Sequence, residues 1–283
     1  MNGPAEKYEG SSDYIASKPL MEIVNVSIIL GKPVVIKGEP GTGKTLLAHS
    51  IAHALSKKLL TWNIKSTTKA KDGLYVYDTV QRLNDARFKD KDISDIRQYI
   101  KYGKLGQAFV SEEQVVLLID EIDKADVEFP NDLLNELDEM SFHVNELDEE
   151  VKAKQRPIVI ITSNSEKELP DAFLRRCVFY YIEFPDEEMM EMIVKVHFPD
   201  IKEKLMREAI KKFYWIRQVD GLRKKPSTSE LLDWIKACAI GGLDLEKITS
   251  EVPFLGALIK SEQDTDRVAR TAQSHGAFGL RRR

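Results

Sequence analysis

Cysteine is scarce in this sequence. Cys177 and Cys238 are the only two, far apart and without metal-ligand spacing. That excludes a disulfide framework and a cysteine-based zinc site, and two reduced thiols are expected. Long apolar runs are also missing: the longest are about strand length, too short to span a bilayer. Neither sign of charge dominates. Basic residues number 42 and acidic residues 46, for a net charge of -4, so no global field draws the chain to nucleic acid or an anionic membrane. Residues Met1 to Asp13 have neither the basic start nor the apolar stretch of a secretory signal, so a cytoplasmic location is expected. Internal repeats and extended low-complexity tracts are absent as well.

What is present is an ordinary globular composition, 42% hydrophobic and 31% charged over 283 residues, enough for two domains. Five β-like runs stand out: Pro33 to Lys37, Leu59 to Ile64, Val115 to Ile119, Ile158 to Thr162 and Val178 to Glu183. The third is apolar throughout and the fourth at every position but the last, as strands covered on both faces should be. Helical segments are expected between them at 44–56, about 92–102, about 130–140 and about 171–176. Alternation of this kind predicts an α/β fold, a parallel sheet sandwiched by helices with its ligand at the carboxyl edge.

After Pro185 the strand signal ends. Met189, Ile193 and Val196 repeat at helical spacing, as do Leu205, Ala209, Phe213 and Ile216, and Leu231, Trp234, Ile235 and Cys238. The expected division is a loose leader at 1–13, an α/β nucleotide-binding domain at 14–185, a smaller all-α domain at 186–265 and a disordered tail at 266–283.

Two motifs carry the chemistry. Gly38-Glu39-Pro40-Gly41-Thr42-Gly43-Lys44-Thr45 follows a β-branched run and leads into a helical pattern beginning at Leu46. This is a phosphate-binding loop, whose glycines let backbone N–H groups face phosphate oxygens. Lys44 should reach the β- and γ-phosphates, and Thr45 should offer its hydroxyl to Mg²⁺. The helix N-terminus adds positive potential. The second motif is Val115 to Ile119 followed by Asp120-Glu121. Asp120 is expected to hold Mg²⁺ through water, and Glu121 to act as general base on the attacking water. Together they predict binding and hydrolysis of ATP with Mg²⁺.

With Ile-Thr-Ser-Asn at 161–164 and Leu-Pro-Asp-Ala-Phe-Leu-Arg-Arg at 169–176, the chain resembles the AAA+ ATPases, and among them the MoxR group of the helix-two-insert branch. The resemblance covers roughly residues 14–265. It implies that the fourth strand lies between the first and third, and that Asn164 is sensor 1, bonded to the γ-phosphate or the attacking water. It also implies that Arg176 is an arginine finger reaching a neighbouring subunit's nucleotide. Arg175 lies about 100° away on a helix, so one of the pair fills that role, and Arg176 is favoured. Tyr14 and Ile15 fall where the family closes over adenine; packing of the leading helix is the alternative. The position matching the relatives' sensor 2 arginine is Ser229. Ser227 and Glu230 form a capping-box pattern there, and Lys224 or Lys225 is the nearest substitute cation.

Two segments are candidates for contact with other molecules. Phe142-His143-Val144 and Val151-Lys152-Ala153 have the pattern of a hairpin, where the resemblance places the pre-sensor-1 hairpin. Ser66 to Asp85 is polar and basic with Tyr75 and Tyr77; pore-facing and locally packed readings stand equal. The lone His143 lacks companions for a metal.

The resemblance implies a homo-oligomeric ring, a hexamer, acting as a remodelling chaperone on a client protein. It also implies a partner bearing a von Willebrand factor A domain. A small-molecule or nucleotide kinase is the second class, and a nucleic-acid-remodelling ATPase the third. No cluster of acceptor-binding arginines supports the second, and the overall acidity opposes the third. No Asn-Lys-x-Asp motif points to GTP.

Overall fold

The computed structural model describes residues 7–88, 93–241 and 252–274. They fall into two compact units, residues 7–39 with 43–88 and 93–182, and residues 40–42 with 183–241 and 252–274. The first runs α1 (Lys18–Leu30), β1 (Val34–Gly38), α2 (Lys44–Ala54), β2 (Leu59–Asn63), α3 (Ala70–Leu74), β3 (Tyr75–Tyr77) and α4 (Thr79–Phe88). It continues through β4 (Ile100–Tyr102), α5 (Lys104–Val110), β5 (Val116–Asp120), α6 (Phe129–Asp132), α7 (Leu134–Glu139) and the hairpin β6 (Ser141–Val144) and β7 (Glu149–Lys152). It closes with β8 (Ile158–Ser163), α8 (Asp171–Leu174) and β9 (Val178–Ile182).

The five runs read as strands form one parallel sheet in the order β2-β5-β8-β1-β9. β8 lies between β1 and β5, as the resemblance implied. Alternation divides the sheet's side chains between two cores. Val35, Leu117, Ile119, Val159 and Ile161 enter one, while Val34, Ile36, Val116, Leu118, Ile158 and Ile160 enter the other. Both faces are therefore dry, which is why β5 and β8 are apolar along most of their length. The registers Asn63↔Asp120 and Lys37↔Ser163 bring the carboxyl ends of the strands level.

Three expectations are corrected. The helix expected at about 92–102 is not found over 93–102: Ile96–Tyr99 is a single 3₁₀ turn and Ile100–Tyr102 pairs antiparallel with Tyr75–Tyr77 (residues 89–92 lie outside the described ones). The β-branched and aromatic side chains of Ile100 and Tyr102 favour this pairing. Gly103 ends it, in a place where a Cβ would lie 2.2 Å from the Asp72 carbonyl oxygen. Residues 7–13 are not loose. Tyr8 is fully buried; its amide donates to Asn25 Oδ1 at 2.8 Å and its hydroxyl meets Ser50 Oγ at 2.6 Å. Nor does order end at 265: a helix spans Glu262–Ser274. Val268 and Ala272, four residues apart, are its buried stripe, and buried Asp264 accepts the backbone N–H of Arg223 at 3.0 Å. The tail from 275 onward lies outside the described residues.

Among its described residues beyond 183, the second unit has helices and no strand, with α9 (Glu187–His197), α10 (Glu203–Arg217) and α11 (Thr228–Ile240) around Met190, Val194, Phe213, Ile216, Leu231 and Trp234. Asp186 caps α9 by accepting from Met189 N at 2.8 Å. Among the described residues, no helix is long and apolar enough to cross a membrane.

Candidate functional site

β1 delivers the chain to Gly38, and α2 begins at Lys44. Between them Gly41 and Gly43 take φ of 77° and 83°, the left-handed region that a side chain resists. At Gly43 a Cβ would also approach the Tyr14 ring to 3.1 Å. The sequence signal for glycine here is thus both conformational and steric. Glu39 and Gly41 are half-buried, Thr42 is buried and Pro40 is exposed. Leu46 is exposed on the first turn of α2, its apolar surface open to solvent.

Lys44 is almost fully buried, and its Nζ donates to the carbonyls of Gly38 at 2.8 Å and Glu39 at 2.7 Å. Burial pushes its pKa below the ordinary lysine value, against the opposing pull of Asp123, Glu121, Asp120 and Glu39. A concentrated negative field thus faces one desolvated ammonium.

The end of β5 supplies that field. Asp120 Oδ1 accepts from Thr45 Oγ1 at 3.0 Å and from Thr162 Oγ1 at 2.7 Å. Thr162 in turn accepts the Glu121 N–H at 2.8 Å, tying β8 to β5 at the carboxyl edge. Glu121 then adopts φ 59° and ψ 52°, a left-handed conformation rare for a glutamate. This turn sends its carboxylate away from that of Asp120. Oε1 accepts from Asn164 Nδ2 at 2.8 Å, and Oε2 pairs with the Lys124 ammonium, whose pKa that bond raises.

Thr162, Asp123 and Lys124 are site residues that the motif reading passed over. Thr162 ended a recognised strand, but nothing in its type marks a hydroxyl that bridges two carboxylate-bearing residues. Asp123 sits in a polar stretch, yet it is 2% exposed, and its carboxylate accepts the backbone N–H groups of Asn164 and Glu166 at 3.1 and 2.9 Å.

Residues 9–21 line an open surface pocket of about 380 Å³, among them Glu9, Ser11, Tyr14, Ile15, Ala16 and Met21. Tyr14, against Gly43, has its hydroxyl pKa raised by burial and by Tyr8 and Tyr180. Arg175 and Arg176 are both exposed. The Arg176 guanidinium pairs with Asp138 on α7 and donates to the Ala172 carbonyl at 3.1 Å. On α11, Ser229 is exposed, Ser227 N donates to Glu230 Oε2 at 2.7 Å, and Lys224 Nζ lies 3.5 Å from Glu230 Oε1.

The hairpin pairs Phe142 with Val151 and Val144 with Glu149; its second strand, Glu149–Lys152, begins two residues before the expected Val151 and leaves out Ala153. Phe142 packs between Tyr75, Tyr102 and Phe109, and Tyr75 Oη accepts the Asn145 N–H at 3.0 Å. Tyr75 is therefore tied to the hairpin. His143 lies 3.3 Å from Asp148.

The donors fit a magnesium nucleotide. Thr45 and Asp120 offer one hydroxyl and one carboxylate, hard oxygens that leave the remaining positions to phosphate and water. Among the described residues, no group of three or more His, Cys, Asp or Glu forms a self-sufficient metal cage, which Mg²⁺ bound with phosphate does not require. Comparison with known families matches residues 33–177, just over half of the chain, to the AAA domain (dynein-related subfamily). The matched span begins just before β1 and ends between Arg176 and β9, so it takes in the phosphate loop, Asp120-Glu121 and Asn164. The chain belongs to this dynein-related subfamily of AAA domains, and that membership implies that it binds and hydrolyses ATP.

Proposed function

We propose that this protein is a MoxR-type AAA+ ATPase, working as a homo-oligomeric ring that spends ATP to remodel or activate a client protein. The observation that carries the hydrolytic part is the divergence of two adjacent carboxylates. Asp120 turns to Thr45 on the phosphate loop, and Glu121 turns to Asn164 at the end of β8. One carboxylate therefore serves the metal and the other serves water.

In this reading the loop from Gly38 to Thr45 and the Lys44 ammonium hold the β- and γ-phosphates. Thr45 and Asp120 hold Mg²⁺, which neutralises developing charge on the phosphate oxygens when bound. Glu121 accepts a proton from the attacking water, whose oxygen forms the new bond to the γ-phosphorus as the bond to ADP breaks. Asn164 orients that water or the γ-phosphate. Tyr14 and Ile15 close over adenine, in keeping with the open surface pocket they line. Arg176 completes the site of the adjoining protomer. Its exposure and its solvent-facing pair with Asp138 leave it able to exchange partners at small cost.

The ring, a hexamer in this reading, acts on a protein, with a von Willebrand factor A domain partner as the expected companion. The β6–β7 hairpin and the Tyr75 segment packed against it are the proposed client-facing body. Native mass measurement of wild type and Glu121→Gln with ATP and Mg²⁺ tests the reading. The variant should retain ATP, assemble and fail to turn over. Normal turnover by the variant would remove Glu121 as the base.

A further inference from the structure

Asp123 is a buried carboxylate that neither the metal nor the water reading employs. Such a charge is costly to bury unless it is fully engaged. Its engagement is specific. Oδ2 accepts the N–H of Asn164 at 3.1 Å and of Glu166 at 2.9 Å, and Oδ1 lies 3.3 Å from the same Asn164 nitrogen. Between those amides Ser165 takes φ 65°, a left-handed value for a residue with a side chain. That reversal turns the two amides to one side, as in the concave amide nests that bind anions. Here the anion is supplied by the chain itself.

The same loop carries Asn164, whose side chain donates to Glu121 Oε1. Glu121 and Asp123 belong to one short turn, Glu121 preceding the 3₁₀ segment Ile122–Lys124. One turn therefore grips Asn164 twice, by its main chain through Asp123 and by its side chain through Glu121. Rotating the loop about either bond alone would break the other.

We propose that Asp123 is a positioning residue for hydrolysis, fixing the loop after β8 so that the Asn164 amide faces Glu121. The proposal rests on the reading of Asn164 and Glu121 given above. Asp123 acts through Asn164 and touches no reacting atom. An asparagine in its place offers one neutral oxygen where two amides now converge. A merely structural role would change stability and leave the balance between binding and turnover as it is.

The test is a double-mutant cycle on the full chain, read by steady-state turnover and by binding of a fluorescent ATP analogue. Asp123→Asn should lower kcat about tenfold or more while nucleotide affinity stays within about twofold. In an Asn164→Ala background the same substitution should lower kcat by less than about twofold, because its effect has already been lost. Ser165→Val strains the turn without touching the carboxylate. It should reproduce the pattern, and it decides the matter if Asp123→Asn does not fold. Equal losses in both backgrounds, or affinity falling in step with kcat, would overturn the assignment of Asp123 alone. Wild-type kcat in Asn164→Ala would overturn it together with the role of Asn164.

Discussion

Asn164 Nδ2 donates to Glu121 Oε1 at 2.8 Å, across the gap between β8 and β5. The contact joins two residues 43 positions apart in sequence at the edge where the sheet presents its ligand side. Removing the amide leaves the carboxylate with Lys124 as its remaining side-chain partner among the described residues. Asn164→Ala should therefore lower kcat by about 100- to 1,000-fold, the cost of removing one oriented donor from a preorganised site, with ATP affinity nearly unchanged. Steady-state kinetics beside equilibrium binding checks this. Wild-type kcat would detach Asn164 from the chemistry.

The thiols give a prediction independent of catalysis. Burial first, and Asp138 second, push the Cys177 thiol up to about 12, and burial pushes Cys238 to about 11, from an ordinary 9.0. At pH 8 the native protein should alkylate at Cys177 roughly a thousandfold slower than the denatured chain, because thiolate is the nucleophile. The folded state keeps these protons where the unfolded chain releases them. Their contribution to stability is complete below pH 9 and is lost as pH rises through the window from 9 toward 11 and 12. Rapid labelling at neutral pH, or stability that climbs above pH 9, would contradict the burial of these groups.

Phe142 is 5% exposed and touches three aromatic rings, Tyr75, Tyr102 and Phe109. Phe142→Ala should cost about 3–5 kcal/mol in denaturant unfolding, from lost transfer energy and the cavity left behind. Tyr75→Phe keeps the ring and loses one acceptor for the Asn145 N–H, so about 1 kcal/mol is expected. Equal effects of the two substitutions would mean that the hairpin is not seated on this cluster.

What was legible in the sequence shares a cause. Val34 to Ile36, Val116 to Ile119 and Ile158 to Ile161 are buried on both faces, and a strand covered twice has no choice but to be apolar. The glycine loop announced itself because Gly41 and Gly43 occupy backbone conformations open to few residues. The hairpin was readable in outline from its two short segments, although its second strand begins at Glu149 rather than Val151. Less legible was whatever depended on distant partners. Ile100 to Tyr102 took its form from pairing with Tyr75 to Tyr77, a contact that local periodicity does not encode. Tyr8 looked like part of a polar leader until Asn25 and Ser50 supplied its bonds. Thr162 and Asp123 were silent for the same reason: their roles lie in bonds to residues about forty positions away.

Arg176 and Asp138 are a surface pair, and such pairs contribute about 0–1 kcal/mol. Asp138→Asn should shift the unfolding midpoint little. A loss beyond about 2 kcal/mol would mean that the guanidinium is a structural tie rather than a group free to change partners.

The central claim is that one protomer's Glu121 works with another protomer's Arg176, and mixing two inactive variants tests it most directly. Glu121→Gln keeps the arginine and lacks the base. Arg176→Ala keeps the base and lacks the arginine, and should lose about 10³-fold or more in kcat with ATP binding intact. Combined under assembling conditions, the two should recover measurable ATP turnover that neither shows alone, since some interfaces then pair an intact Glu121 with an intact Arg176. Mixed assemblies that form, bind ATP and remain inactive would contradict the claim.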